Sequence, residues 1–171
     1  MKVLITYSSR NGVTKQCAEM LASFLPSTIE SDVLNLHNMT PDLREYDCAV
    51  LGGSVRMEKL SKPLRAFIKR NKDALSEMPS ALFICCGFPH LYREYKETVV
   101  PRKVDFSLGI HHFGGELKPD KLHGFDKLIV KSMRKSIKEA DFEDIDTEDL
   151  SLPEIIPENI KLLAESIKNI K

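Results

Sequence analysis

Near its amino terminus the chain reads VLITYSSRNGVTKQCAEMLASF over residues 3–24. The first five of these residues are apolar, aromatic or β-branched, which predicts a short buried strand. A polar turn follows at 8–12, and apolar side chains then recur at helical spacing until Pro26 ends the pattern. A strand, a polar loop and a helix in succession are typical of the first unit of a parallel α/β sheet.

The same alternation continues along the chain. Further strands are predicted over 28–36, 49–51, 81–86 and 106–114, and further helices from Ser61, over 91–100 and from Pro157. The third strand is predicted to end in a loop at Gly52-Gly53. Strands that alternate with helices imply a parallel sheet covered on both faces. We therefore expect one α/β domain over 1–171, with a doubly wound five-stranded sheet of order 2-1-3-4-5.

Composition limits the class of protein. The chain has 171 residues with 25 Lys+Arg and 25 Asp+Glu, so its formal net charge is zero. This balance argues against a nucleic-acid partner, which would require a basic footprint. A hydrophobic content of 42% and a charged content of 29% predict a soluble globular protein. Because no apolar run approaches the roughly 20 residues of a membrane span and no secretory signal is evident, we expect a cytoplasmic location.

The four cysteines show neither zinc-ligand spacing nor a C-x-x-C pair. We expect Cys17, Cys48, Cys85 and Cys86 to be reduced and mostly buried, and we expect no metal site. Adjacent residues of a strand point to opposite faces, so Cys85 and Cys86 are not expected to pair with each other.

Residues 118–153 interrupt the alternation and are expected to form an insertion after the fifth strand. Residues 118–138 hold seven Lys/Arg and two acidic residues, whereas 139–154 hold eight acidic residues and no Lys or Arg. Apolar residues at helical spacing predict a basic amphipathic helix over 125–138. Two interpretations stay open: a solvated helix neutralised by the acidic stretch, or a contact surface for an anionic membrane or an acidic partner. The second would place the protein at the inner membrane face.

In a doubly wound sheet, ligands bind beyond the carboxyl ends of the strands, near the point where the strand order reverses. The loop at 8–14 is the most informative of these regions, because it holds four hydroxyl or amide side chains and a glycine before a helix. Such a loop predicts a phosphate nest at a helix N-terminus. An ordinary helix cap is the alternative, although a cap needs one polar side chain. The loop matches neither the P-loop nor the dinucleotide fingerprint, so a terminal phosphomonoester fits best.

The segment YSSRNGVT at 7–14 resembles the phosphate loop of flavodoxins. It looks most like the loop of the flavodoxin-like, menaquinone-dependent protoporphyrinogen oxidases. The segments GGSVR at 52–56 and FGGEL at 113–117 are similar to further motifs of that group. The resemblance spans nearly the whole chain and is weakest over 86–105. It implies a flavodoxin-like fold and a non-covalent FMN cofactor.

The resemblance also implies which residues hold the cofactor. The phosphate would lie in the first loop and the flavin ring between two later loops. The implied cofactor-binding residues are, in the first loop, Ser8, Ser9, Arg10, Asn11, Gly12, Val13 and Thr14; in the second, Ser54, Val55, Arg56 and Met57; and in the third, Gly87, Phe88 and Pro89. A packing role for Phe88 is equally open, and His90 is either a surface residue or an aid to proton transfer. No catalytic side chain is assigned, because the flavin itself would carry the redox chemistry.

Three functions are compatible with these features to different degrees. The first is an FMN-dependent oxidoreductase that passes reducing equivalents to a quinone or another small molecule, and the second is a one-electron carrier that binds redox proteins. The third, a non-catalytic interaction protein, is disfavoured by the phosphate loop. Shuttle flavodoxins are typically acidic, whereas this chain is neutral and carries Arg56 near the expected flavin edge. A cation there would stabilise the anionic reduced flavin, which favours the first function.

Overall fold

The computed structural model describes residues 1–9, 12–56, 59–86, 92–98, 100–101, 104–115 and 154–170, without the side chains of Arg56, Glu94 and Thr98. The strands are β1 Lys2–Ser8, β2 Glu30–Asn35, β3 Cys48–Arg56, β4 Lys59–Leu60, β5 Ser80–Cys85 and β6 Ile110–His112. The helices are α1 Val13–Phe24, α2 Lys62–Arg70, α3 Lys72–Glu77, α4 Tyr92–Thr98 and α5 Pro157–Lys168, with a short 3-10 helix at Leu43–Glu45.

Five of the described strands run parallel in the order β2-β1-β3-β5-β6. This order confirms the doubly wound α/β sheet that the sequence predicts. The short strand β4 pairs antiparallel with the end of β3. The predicted insertion at 118–153, with the basic helix at 125–138, lies outside the described residues.

The third strand does not end at Gly52-Gly53, so that prediction is wrong. Strand β3 continues to Arg56, and β4 pairs antiparallel with its end, Arg56 with Lys59. The two glycines serve packing instead. A Cβ atom on Gly52 would overlap the ring of Phe83, and one on Gly53 would overlap the side chain of Leu64. The expectation that Arg56 lies in a loop beyond the strand is corrected by the same observation.

The fifth parallel strand is shorter than the predicted 106–114. It covers Ile110–His112, and Gly109 before it has a φ of 89°, in the left-handed region. A residue in that conformation cannot continue an extended strand, because a strand requires a negative φ.

Two apolar layers cover the sheet. Helices α1 and α5 pack on one face around Phe83, whose ring stacks on Phe113 with centroids 4.5 Å apart. Helices α2 and α3 pack on the other face through Leu64, Ile68 and Leu75. None of the four cysteines forms a disulfide and all are buried, and Cys85 and Cys86 enter opposite layers as expected.

The described residues before 116 and after 153 meet at one point of the sheet. Gly114 pairs with Ile155 in an antiparallel bridge, and the Gly115 N–H donates to the Glu154 carbonyl at 3.1 Å. The Ile156 N–H donates to the Phe113 carbonyl at 3.0 Å. The two flanks of the interval 116–153 therefore meet beside the carboxyl end of β6.

The contact between Gly52 and Phe83 predicts a measurable packing constraint. The variant Gly52→Ala should lower the free energy of unfolding by about 1–3 kcal/mol, because the buried Phe83 ring cannot move away from the added methyl group. Urea denaturation measures this loss. In the double variant with Phe83→Leu, the loss should be smaller than the sum of the two single losses. Strictly additive losses would show that Gly52 is not required by the Phe83 ring.

Candidate functional site

The carboxyl ends of three neighbouring strands meet at one edge of the sheet. Ser8 at the end of β1 pairs with Gly53, and Ser54 in β3 pairs with Cys85 at the end of β5. Strand β2 lies on one side of β1 and β3 lies on the other. The direction in which successive strands are added to the sheet therefore reverses at β1. Ligands of doubly wound sheets bind at such a reversal.

Gly12 makes the turn from the first loop into α1. Its φ of 88° and ψ of −22° lie in the left-handed region, which glycine adopts without a steric penalty. A Cβ atom at Gly12 would meet nothing within 4 Å, so the backbone conformation and not crowding favours glycine here. The Gly12 carbonyl accepts the first hydrogen bond of α1, from the Gln16 N–H at 2.9 Å.

The N-terminus of α1 has no side-chain cap in the described part of the chain. Gly12 offers no side chain, and the first turn carries no acidic residue. The leading N–H groups of a helix have no partner within the helix, and they carry roughly +0.5 elementary charge together. An anion would satisfy these groups.

Ser9 supports this turn from the loop. Its Oγ accepts a hydrogen bond from the Gly12 N–H at 3.0 Å, and its side chain is half-buried. This bond uses a lone pair of the hydroxyl and leaves the hydroxyl proton available to a ligand. Ser9 is therefore a donor beside the start of α1.

Ser8 points to the other side of the sheet. Its buried Oγ accepts a hydrogen bond from the Ser61 Oγ at 2.6 Å and lies 3.1 Å from the His37 Nε2. Successive side chains of a strand alternate between faces, so Ser8 lies on the face of α2 and not on that of α1. Its hydroxyl links β1, the turn after β2 and the start of α2. The sequence alone missed His37 in this cluster and indicated Ser61 only as the start of a helix.

Thr14 lies under the start of α1 with its side chain 1% exposed. Its hydroxyl hydrogen-bonds the Cys85 sulfur, and the Cys85 thiol donates to the Cys17 sulfur at 3.7 Å. The hydrogen bond to Cys17 and burial raise the pKa of Cys85 well above its usual range, while the bond from Thr14 acts in the opposite direction. These three side chains fasten the first turn of α1 to the end of β5.

The remaining predicted site residues divide into two groups. Val13, Ser54 and Val55 are half-buried at the same edge, where Val13 and Val55 pack against the two apolar layers. The others lie outside the described residues: Arg10, Asn11, Met57, Gly87, Phe88, Pro89 and His90, together with the side chain of Arg56.

The described residues contain neither a metal centre nor a membrane span. Among them, no group of three or more His, Cys, Asp or Glu side chains is arranged to hold a metal ion. None of the described helices is long and apolar enough to cross a membrane.

Comparison with known proteins places this geometry in a family. The flavodoxin-domain family model matches residues 4–144. Protoporphyrinogen IX dehydrogenase (quinone) from Escherichia coli K12 is 38% identical over 85 residues, which are 48% of this chain and 47% of that protein. The chain thus spans about half the length of the curated relatives it matches.

Solved structures share the fold at low sequence identity. The flavodoxin of Streptococcus pneumonia TIGR4 is similar with a TM-score of 0.56 over 98% of each chain, at 12% identity. A short-chain flavodoxin associated with a bacterial microcompartment gives a TM-score of 0.50 at 11% identity, over 77% of this chain and 98% of that one. With the family model covering most of its length, the chain belongs to the flavodoxin-domain family, whose members are redox proteins built around a flavin.

Proposed function

We propose that the chain binds FMN non-covalently and acts as an oxidoreductase that passes reducing equivalents to a quinone or another small acceptor. The uncapped N-terminus of α1, behind Gly12 and at the reversal of strand order, carries this proposal. The 38% identity with a quinone-dependent protoporphyrinogen dehydrogenase over half the chain supports the type of reaction. A porphyrinogen substrate and membrane contact through 125–138 are predictions within this proposal.

The described residues fit the phosphate end of FMN. The leading N–H groups of α1 and the Ser9 hydroxyl would donate to the phosphate, and the absence of a Cβ at Gly12 leaves space for its approach. No carboxylate lies in the first turn of α1 to repel a dianion. Ser54 and Val55, at the end of β3, would lie toward the flavin ring. Bound FMN would supply the electron transfer, and the chain would bind and orient it.

The donors differ in what they can offer a phosphate. Ser9 keeps its hydroxyl proton after accepting from Gly12, whereas the Thr14 hydroxyl is directed at the Cys85 sulfur. A hydroxyl has one proton to donate. The proposal therefore gives Ser9 the larger contribution to phosphate binding and gives Thr14 mainly a role in holding α1 against β5.

Loss of the Ser9 hydroxyl should weaken binding of FMN but not of riboflavin, which lacks the phosphate. A hydrogen bond to a charged group contributes about 1.5–3 kcal/mol, so Ser9→Ala should raise the Kd of FMN about ten- to a hundredfold. Thr14→Val should raise it less and should lower the free energy of unfolding of the cofactor-free chain. Fluorescence titration gives the Kd of each flavin.

Ser23→Ala is the matched control, because the Ser23 hydroxyl donates to the Met20 carbonyl on the exposed side of α1. It should leave the Kd of both flavins unchanged. Equal losses of FMN and riboflavin binding in Ser9→Ala would contradict a phosphate role for Ser9. Binding of neither flavin by the unmodified chain would contradict the proposed function.

The alternative function is that of a one-electron carrier, which the structural likeness to flavodoxins supports. An anaerobic titration with dithionite, followed by absorbance, separates the two. An oxidoreductase of the proposed kind should take up two electrons in one step and should be reoxidised by a water-soluble quinone. Two well-separated one-electron steps and no reaction with the quinone would favour the carrier.

A further inference from the structure

Two adjacent cysteines at the end of β5 provide an internal comparison. Cys85 packs in the layer of α1, and Cys86 packs in the layer of α2. Their exposed fractions are nearly the same, at 4% and 3%. Access from solvent therefore does not distinguish the two thiols, and any difference in their reactivity must come from their neighbours.

One neighbour of Cys86 is an imidazole. The Cys86 Sγ lies 3.1 Å from the Nε2 of His112, which is half-buried on the adjacent strand β6. The His112 ring stacks on Tyr92 with centroids 4.8 Å apart, and the Tyr92 hydroxyl donates to the Ile110 carbonyl at 2.7 Å. The Asn159 amide donates to the His112 carbonyl at 2.7 Å. Tyr92 therefore packs against the imidazole, and Asn159 holds the backbone of the residue that carries it.

The other described thiols have no such base. Cys85 faces the Cys17 thiol, which accepts its hydrogen bond. Burial, with a smaller effect from Asp47, raises the pKa of Cys48 to about 12. Burial lowers the pKa of His112, against the raising effect of a hydrogen bond with the Cys86 backbone, and so favours the neutral imidazole that can accept a proton. Because the thiolate is the reacting form of cysteine, a neighbouring proton acceptor favours reaction at Cys86.

We propose that Cys86 and His112 form a reactive thiol site, at the carboxyl edge of the sheet, that hydroperoxides oxidise. The exposed fraction of 3% restricts the reagent to a small molecule, which hydrogen peroxide satisfies. This site lies on the opposite face of β5 from the Thr14–Cys85 contact, and the proposal does not depend on FMN binding.

The reaction with hydrogen peroxide needs no further oxidant or reductant. The thiol proton of Cys86 passes to the His112 Nε2, and Sγ forms a bond to one peroxide oxygen. The O–O bond breaks, and the leaving hydroxide takes the proton back from the imidazolium to form water. The sulfur is oxidised to a sulfenic acid and the peroxide is reduced to water.

The purified full chain is treated with hydrogen peroxide for increasing times and quenched. The thiols that remain are alkylated in denaturant, and mass spectrometry with fragmentation between residues 85 and 86 quantifies each cysteine. Cys86 should be oxidised about tenfold or more faster than Cys85 and Cys48 in the same molecules. Equal rates for Cys85 and Cys86 in the unmodified chain would overturn the proposal without recourse to any variant.

His112→Phe tests the role of the imidazole, because it keeps an aromatic ring against Tyr92 and removes both nitrogens. It should slow oxidation of Cys86 about tenfold or more and leave the rate at Cys48 unchanged. His111→Phe is the matched control, since His111 lies on the other face of β6 with its Nε2 2.7 Å from the Leu108 carbonyl. An unchanged Cys86 rate in folded His112→Phe would overturn the proposal.

Discussion

Strand β1 is hydrogen-bonded on both sides, to β2 through one edge and to β3 through the other, and this double pairing fixes where its carboxyl end lies. Ser8 is the last residue of the strand, and four residues later Gly12 turns the chain into α1. The start of α1 is therefore held above the sheet edge where β1, β3 and β5 end. The hydrogen bonds of Thr14, Cys85 and Cys17 fasten it there, so the uncapped N–H groups keep one position.

The same edge gathers two different kinds of chemistry. On the face of α1, unsatisfied N–H groups and the Ser9 hydroxyl form a positive, hydrogen-bonding end that suits an anion. On the opposite face, Cys86 and His112 place a nucleophile beside a proton acceptor. Strand β5 separates the two faces, because its last residues alternate between them. The proposed phosphate site and the proposed reactive thiol would therefore lie on opposite faces of one parallel strand.

Much of the fold could be predicted because its signals are local. The apolar run at 3–7 and the proline at the start of α5 predict their elements without knowledge of the rest of the chain. The role of Gly52 could not be predicted in this way. A glycine pair after an apolar run favours a turn, and only the position of the Phe83 ring, on the neighbouring strand, shows that the missing Cβ is required by packing.

The candidate site also combines features that the local sequence predicts with contacts that depend on distant parts of the chain. The loop and its glycine were predictable, since the order strand, polar loop and helix sets the chemistry of a helix N-terminus. The direction of Ser8 results from the alternation of the strand, a signal that the loop motif obscured. The contact between Thr14 and Cys85 joins residues 71 positions apart in the chain and depends on the pairing of β3 with β5. No local pattern could have indicated it.

The proposed function depends on the N-terminus of α1 receiving the phosphate of a flavin nucleotide. The most direct measurement is the amide proton shift of Val13, Thr14 and Lys15, recorded by NMR as FMN or riboflavin is added to the cofactor-free chain. We predict that FMN moves these three resonances downfield and that riboflavin leaves them nearly unchanged. The amide of Leu64, in the first turn of α2 at the same sheet edge, serves as the reference. Equal shifts with the two flavins would contradict phosphate binding at the start of α1. A shift that FMN causes at the Leu64 amide and not at residues 13–15 would contradict it as well.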